Sequence, residues 1–336
     1  MKQYLQKITN NESLSEDEAY KAMQCIFTEA SDAQIGAFLA ALNVKGITAE
    51  ELTGFARAML GNANVIHPEV NGYLVDTCGS GGDRHNTINI STAAAIVTAA
   101  AGIPVAKHGN RSVTSLSGSA DVLEALGVKV DCTPEDVCST IENIDIGFMF
   151  APMFHPAMKR VGGVRKDLGV KTVFNLLGPI VNPTEAPAQV VGVYDRKYCK
   201  PVAEALRRLG KSRALVVNGD GMDEISTLSE TCVVELKDDV VSSYIITPED
   251  LGIPRATAND IVGGTPEENA DDIMRILNGE KGPKRDIVVA NAAASIYLGR
   301  NDISMREAVT IAEEAIDSGK ALEKLEQLID LTNKEA

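Results

Sequence analysis

The run Asp76-Thr77-Cys78-Gly79-Ser80-Gly81-Gly82-Asp83, followed by Asn86-Thr87-Ile88-Asn89-Ile90-Ser91-Thr92 and an alanine-rich stretch, decides how the rest of the chain reads. Ahead of it, Tyr73-Leu74-Val75 predicts a short buried strand. Gly79, Gly81 and Gly82 let the backbone take positive φ and approach a ligand with no Cβ in the way. A helix starts near Thr92 with Ser91 or Asn89 as cap, which turns free N–H groups and the positive helix end toward the same space. A glycine loop beside a helix N-terminus suits a phosphate. The same glycines also suit a plain strand-to-helix turn. Spacing excludes two commoner motifs: a P-loop needs Lys-Ser/Thr after its last glycine, where Asp83-Arg84 stands, and the dinucleotide fingerprint needs a glycine at position 84. A carboxylate among phosphate-binding glycines repels an anion unless a cation lies between them. Asp83 therefore points to a metal-bound phosphate.

Outward from this run the chain changes character. Residues 1–60 carry helical patterns throughout, with capping-box spacing at Ser15/Glu18, Ser31/Gln34 and Thr48/Glu51. Apolar positions follow at helical intervals: Ile35, Phe38, Leu39 and Leu42, then Leu52, Phe55, Met59 and Leu60. Gly46 is the expected stop of the middle helix. Such short helices need another surface over their apolar faces, which leaves these stripes to core and subunit contact. Residues 62–71, with Pro68, break the pattern and read as a hinge. Beyond it, strand-like runs at 104–106, 128–130, 146–150, 189–193 and 214–217 alternate with helical ones, among them 121–126 and 134–143, the latter capped by Thr133. Alternation of this kind predicts an α/β domain with a largely parallel sheet. Residues 155–168 and 172–177 interrupt it with back-to-back helical patterns. Residues 225–247 are strand-rich, and 266–277, 287–298, 305–318 and 321–331 are helical, with a further capping box at Ser304/Glu307.

The formal charge of −15 argues against a nucleic-acid or anionic-membrane surface. An anionic ligand must then be met by local cations, and Arg84, Lys107, Arg111 and Arg165 lie in or beside the polar motifs. Six cysteines without a Cys-x-x-Cys pair read as reduced, mostly buried thiols rather than a disulfide frame or zinc site. Neither a signal-peptide pattern nor a membrane-length apolar run is present, so a cytoplasmic protein is expected.

Three further constellations could carry chemistry. Asp223-Glu224, after Gly219-Asp220-Gly221, is either a solvated acidic loop or a pair of oxygen ligands for Mg²⁺. Residues 107–119 combine Lys107 and Arg111 with the hydroxyls of Ser112, Thr114, Ser115, Ser117 and Ser119, which suits a polar surface loop or one that closes over phosphates. Arg165 is either a surface arginine or a fork for a carboxylate.

Taken together, Gly79-Ser80-Gly81-Gly82-Asp83, Asn89-Ile90-Ser91-Thr92 and Lys107-His108-Gly109-Asn110-Arg111 resemble the phosphoribosyl-diphosphate loops of the anthranilate phosphoribosyltransferase family. His155-Pro156-Ala157-Met158-Lys159, Val164-Arg165-Lys166, Phe174-Asn175-Leu176-Leu177-Gly178-Pro179 and Asp220-Gly221-Met222-Asp223-Glu224-Ile225-Ser226 extend the resemblance, in family order, nearly end to end. It implies a nucleoside phosphorylase-like α/β fold. A small all-helical N-terminal domain, residues 1–66 with a return segment of about 166–186, would join a larger α/β domain, residues 72–165 and 187–336, built on a central, mostly parallel sheet. It implies transfer of the phosphoribosyl group to the amine of anthranilate, with Mg²⁺ as cofactor and a homodimer as the assembly. The resemblance gives phosphoribosyl diphosphate to Gly79, Gly82, Asp83, Thr87, Asn89, Ile90, Ser91, Thr92, Lys107, His108, Gly109, Asn110, Arg111, Ser112, Val113, Thr114, Ser115 and Ser119. Anthranilate would be held by Gly79, Asn110 and Arg165, with His155 on its entry path, and the metal by Ser91, Asp223 and Glu224. No acid, base or nucleophile is implied.

Departures are few: Ser80 stands where threonine is usual, Arg84-His85 where small residues are commoner, and Asn218 where histidine is more usual. Pyrimidine nucleoside phosphorylases share the fold, but they carry a further C-terminal domain for which this chain is short, and the Asn175-to-Pro179 motif favours the transferase. A nucleic-acid-binding relative of the fold is opposed by the acidic balance and by Asp223-Glu224.

Overall fold

The computed structural model describes residues 1–82, 85–112 and 116–334. Helices α1 (Lys2–Thr9), α2 (Glu16–Thr28), α3 (Asp32–Lys45) and α4 (Ala49–Leu60) open the chain. The expected capping boxes start α2, α3 and α4, each satisfying two otherwise orphaned N–H groups. Gly46 ends α3 at a φ of 85°, a conformation that costs glycine little. Phe38 and Phe55 are fully buried and meet edge to face, with centroids 6.0 Å apart.

Among the described residues seven strands follow: β1 (Val75–Gly79), β2 (Val105–Gly109), β3 (Ile146–Phe150), β4 (Ala188–Gly192), β5 (Arg213–Asn218), β6 (Thr231–Lys237) and β7 (Val240–Ile246). They form one sheet in the order β3-β2-β1-β4-β5-β6-β7. The first five run parallel; β6 and β7 add antiparallel. From β1 the chain moves one way to β3, then returns and continues on the other side from β4. The order therefore reverses between β1 and β4, whose last residues, Gly79 and Gly192, are register partners. Open α/β sheets hold ligands at such a crevice beyond the strand ends.

Alternation along the strands divides the core. Val190, Leu215 and Val217 face one side, with α5 (Ile90–Ala100) and the helix Pro283–Gly299. Val191, Ala214 and Val216 face the other, in one core with α2, α3, α4 and the helices Lys159–Leu168, Val173–Ile180 and Cys199–Arg208. Ile35, Phe38, Leu39, Leu42, Leu52, Phe55 and Met59 are thus covered within the chain, not left for a subunit contact.

Several expectations are corrected. The strand expected at 73–75 begins at Val75 and continues through Asp76 to Gly79, and the one expected at 104–106 runs from Val105 through Lys107 and His108. The Asp76 carboxylate is satisfied inside the sheet: it accepts from His108 N at 3.3 Å and from Gln189 Nε2 at 2.7 Å. Residues 128–130 form no strand; Val128 and Val130 are buried by a connecting segment instead. The helix expected from Thr92 starts at Ile90. Asn89 sits at its cap position, yet its side chain does not cap the helix. It accepts from Ser117 Oγ at 3.0 Å and Asn269 Nδ2 at 2.8 Å. Three of the six free thiols, Cys132, Cys199 and Cys232, are buried, and the other three are partly exposed.

Candidate active site

The crevice is shaped by what its glycines admit. A Cβ on Gly79 would stand 2.5 Å from Asp223 Oδ2, and one on Gly192 only 1.6 Å from the Asp223 carbonyl oxygen. Both strand ends are therefore glycine because the segment after β5 crosses over them. Asp223 Oδ2 accepts from Gly81 N at 2.5 Å and from Ser80 Oγ at 3.4 Å, and Ser80 Oγ accepts in turn from Tyr194 N at 3.0 Å. The hydroxyl retained at Ser80 thus ties the loop to the segment after β4. Gly81 and Gly82 take φ values of 69° and 72°.

Asn218 fixes the turn that delivers Asp223. Its Nδ2 donates to Val193 O at 2.7 Å, and its Oδ1 accepts from Gly221 N at 3.1 Å. Asp220 and Gly221 follow at φ 54° and 95°, and Gly219 pairs with Met222. The variant residue is a working part of the loop. Asp223 is only 8% exposed, so a solvated acidic loop is excluded for it; Glu224 is half-buried.

Lys107 joins three elements. Its ammonium donates to Thr77 O on β1 at 2.8 Å and to Ser91 Oγ in the first turn of α5 at 3.2 Å, with 4% of the residue exposed. Next to it on β2, His108 is buried with its ring 5.0 Å from that of His155. Burial pushes the His108 imidazole down to about 3, helped by His155, and burial pushes His155 to about 4 against the bond of its Nε2 with Val181 O. Both rings are neutral at physiological pH. His155 is packed inside, 4% exposed, where the sequence placed it along an entry path.

Around the crevice, Thr87 bridges to Val262, and Ile90 and Thr92 are buried in α5. Gly109 leaves no room for a Cβ beside Ser119 Oγ and Phe148. Asn110 is exposed; its carbonyl accepts from Ser119 Oγ at 3.2 Å. Asp121 accepts from Ser112 N and from Gly118 N, both at 2.9 Å. Arg111 does not join Lys107: its guanidinium is engaged by Glu124 and Asp121. Across from the sheet, Arg165 is half-buried on its helix, its Cζ 5.3 Å from the Phe174 ring centroid, and burial lowers its pKa. Asp83, Arg84, Val113, Thr114 and Ser115 lie outside the described residues. Sequence reasoning missed the supporting residues Gly192, Asp121 and Asn269. Only Asp121 carried a signal, its N3 spacing after Gly118.

Among the described residues no group of three or more His, Cys, Asp or Glu could hold a metal alone. Asp223, Glu224 and Ser91 still fit magnesium, which takes one or two carboxylates and completes its shell with water and substrate phosphate. Ser91 Oγ accepts from Lys107 and keeps a second lone pair.

Fold and site define a glycosyl transferase. The helical bundle domain of the glycosyl transferase family matches residues 2–63, and its a/b domain matches residues 71–322. An anthranilate phosphoribosyltransferase of Methanococcoides burtonii is 62% identical over 333 residues, 99% of this chain and 94% of that protein. The crystal structure of anthranilate phosphoribosyltransferase from Thermus thermophilus superposes with a TM-score of 0.93 at 43% identity, covering 98% of this chain and 99% of that one. The Saccharomyces cerevisiae enzyme in complex with PRPP and Mg gives 0.86 at 28% identity, covering 98% and 97%. The chain belongs to the anthranilate phosphoribosyltransferase family.

Proposed function

We propose that the crevice beyond β1 and β4 binds phosphoribosyl diphosphate with magnesium and meets anthranilate held from the side of Arg165. There the chain performs the family's reaction: the phosphoribosyl group passes to the amine of anthranilate and diphosphate leaves, a step of tryptophan biosynthesis. The reading is carried by one observation, the placing of the Asp223 carboxylate on the backbone of Gly79 and Gly81. Gly79, Gly82, Thr87, Asn89 to Thr92, Lys107 to Ser112 and Ser119 line the diphosphate and ribose, with Asp83 and Val113 to Ser115 assigned by family resemblance. Gly79, Asn110 and Arg165 take anthranilate. Ser91, Asp223 and Glu224 would hold the metal, which supplies positive charge to the departing diphosphate.

The protein's own part is placement and charge. Lys107 and the first-turn N–H groups of α5 favour negative charge as it builds on the leaving group. Arg165 orients the carboxylate of anthranilate so that its neutral amine faces the anomeric carbon, and positioning replaces a general base. With residues 1–66 and 166–186 as one body and 72–165 with 187–336 as the other, closing would exclude water from the reacting sugar. The tryptophan-pathway enzyme we infer is a cytoplasmic homodimer. Tyr20 on α2 and Val44 on α3, the latter 91% exposed, support a contact through residues 1–60. A chain that stays monomeric at micromolar concentration in sedimentation would remove the dimer. Loss of anthranilate fluorescence on adding phosphoribosyl diphosphate and Mg²⁺ tests the activity; unchanged fluorescence would overturn it.

A further inference from the structure

We propose that Lys171 is a further binding residue for the substrate's diphosphate, reaching it from the helices opposite the glycine loop. This rests on the reading of the crevice given above. Lys171 lies on the short connection between the helix Lys159–Leu168, which ends at Gly169 with φ 61°, and the helix Val173–Ile180. Both flanks are fixed: Thr172 N donates to Asn175 Oδ1 at 3.0 Å, and Asn43 on α3 donates to the Lys171 carbonyl. The side chain leaves this anchored backbone toward the sheet. Its Nζ stands 3.8 Å from the centroid of the Tyr194 ring, and a Cβ on Gly82 would lie 2.9 Å from its Cε and 3.6 Å from its Nζ.

Gly82 takes a φ of 72°, and the far end of the Lys171 side chain packs over it. An ammonium resting on an aromatic face keeps its full charge while its position is held. The chain carries −15 overall, so an anion lying on the loop must be met by local cations; Lys171 is one of these, with the Asp195 carboxylate within its electrostatic reach. Lys171 brings a cation to the opposite side of the loop, within reach of an anion lying on it.

The test compares wild type with Lys171→Met, which keeps most of the apolar stem, and Lys171→Arg, which keeps the charge. With Lys171→Met, the KM for phosphoribosyl diphosphate and the inhibition constant of inorganic diphosphate should both rise by about tenfold or more. The KM for anthranilate should stay within about twofold, and Lys171→Arg should recover most of the loss. Unchanged diphosphate constants in Lys171→Met would overturn the proposal. So would equal damage to both substrates in both variants, since that pattern belongs to a structural clasp. If wild type fails to consume anthranilate, the reading of the crevice falls. Calorimetric titration of inorganic diphosphate with Mg²⁺ into wild type and Lys171→Met then decides the role of Lys171 by the same tenfold criterion.

Discussion

The loops that leave β1 and β2 stand at the same end of neighbouring strands and are built on opposite plans. Residues 79–82 are held from far along the chain: Asp223 accepts from Gly81 N, Tyr194 donates to Ser80, and Lys171 covers Gly82. The described residues of 110–119 are fastened at the loop's own base. Asp121 gathers Ser112 N and Gly118 N, Asn110 O accepts from Ser119 Oγ and Ala120 N, and Arg111 turns to Glu124 in the following helix. A longer-range tie joins Ser117 to Asn89. Disturbing the first loop therefore disturbs the meeting of β1, β4 and the segment after β5. The described residues of the second are tied to near neighbours and, through Ser117, to Asn89.

The largest effect should come from Asp223, on which the preformed loop rests. Alanine would leave the Gly81 N–H without its acceptor and mix stability with function. Asp223→Asn keeps an oxygen and removes the charge. Turnover should fall by about a hundredfold or more, the equivalent of about 3 kcal/mol of lost charge stabilisation. Activity within a few-fold of wild type, with an unchanged thermal transition, would remove Asp223 from the metal assignment. Arg165→Ala comes next. It should raise the KM for anthranilate by roughly tenfold and leave that for phosphoribosyl diphosphate almost unchanged, because only the carboxylate contact is lost. Equal effects on both would mean that Arg165 organises the whole crevice. A smaller, several-fold change is expected in hydrogen exchange. Phosphoribosyl diphosphate with Mg²⁺ should protect residues 110–119 and leave 79–81 nearly as slow as before, while anthranilate alone does neither. Equal protection of the second loop in the free enzyme would abolish the contrast between the two.

The same contrast governs what could be read from sequence. Elements set by local rules were legible: the capped helices, and the apolar strand Ile146–Phe150, fall where capping and patterning put them. Strand ends that depend on distant partners were not. Asp76 and Lys107 read as loop because nothing local shows that Gln189, Thr77 and Ser91 will satisfy them. The run at 128–130 misled in the opposite sense, since burial of valine needs a core but not a ladder. At the site, glycine, hydroxyl and carboxylate motifs carried the family resemblance, and the resemblance gave the chemistry. They could not show that Gly79 makes room for Asp223, that Asn218 shapes the turn before it, or that Arg111 is spent on Glu124. Each of those facts joins residues that the sequence keeps apart or leaves with several partners to choose from.

The smallest effect, and the most selective for the second loop, concerns acid. Burial alone would raise the Asp121 carboxyl, but the N–H groups of Ser112 and Gly118 and the Arg111 guanidinium outweigh it and hold the pKa below the ordinary 3.8. A carboxyl depressed on folding contributes stability that is present above its ordinary value and lost as pH falls through its folded value. The base of the loop should therefore stay fastened at neutral and mildly acid pH and loosen only below 3.8. His108 and His155, at about 3 and 4, stay uncharged in the folded protein through the neutral range; their depression lowers global stability as pH falls below 6.5 without loosening the base of this loop. Limited proteolysis of residues 110–119 should accordingly be flat from about pH 8 to pH 5 and rise at lower pH. Asp121→Asn should show a modest, few-fold rise already at neutral pH, with little further dependence on acid. Cleavage in wild type that climbs between about pH 7 and pH 5 would assign the fastening to some group other than Asp121, and the second loop would no longer be one held at its base.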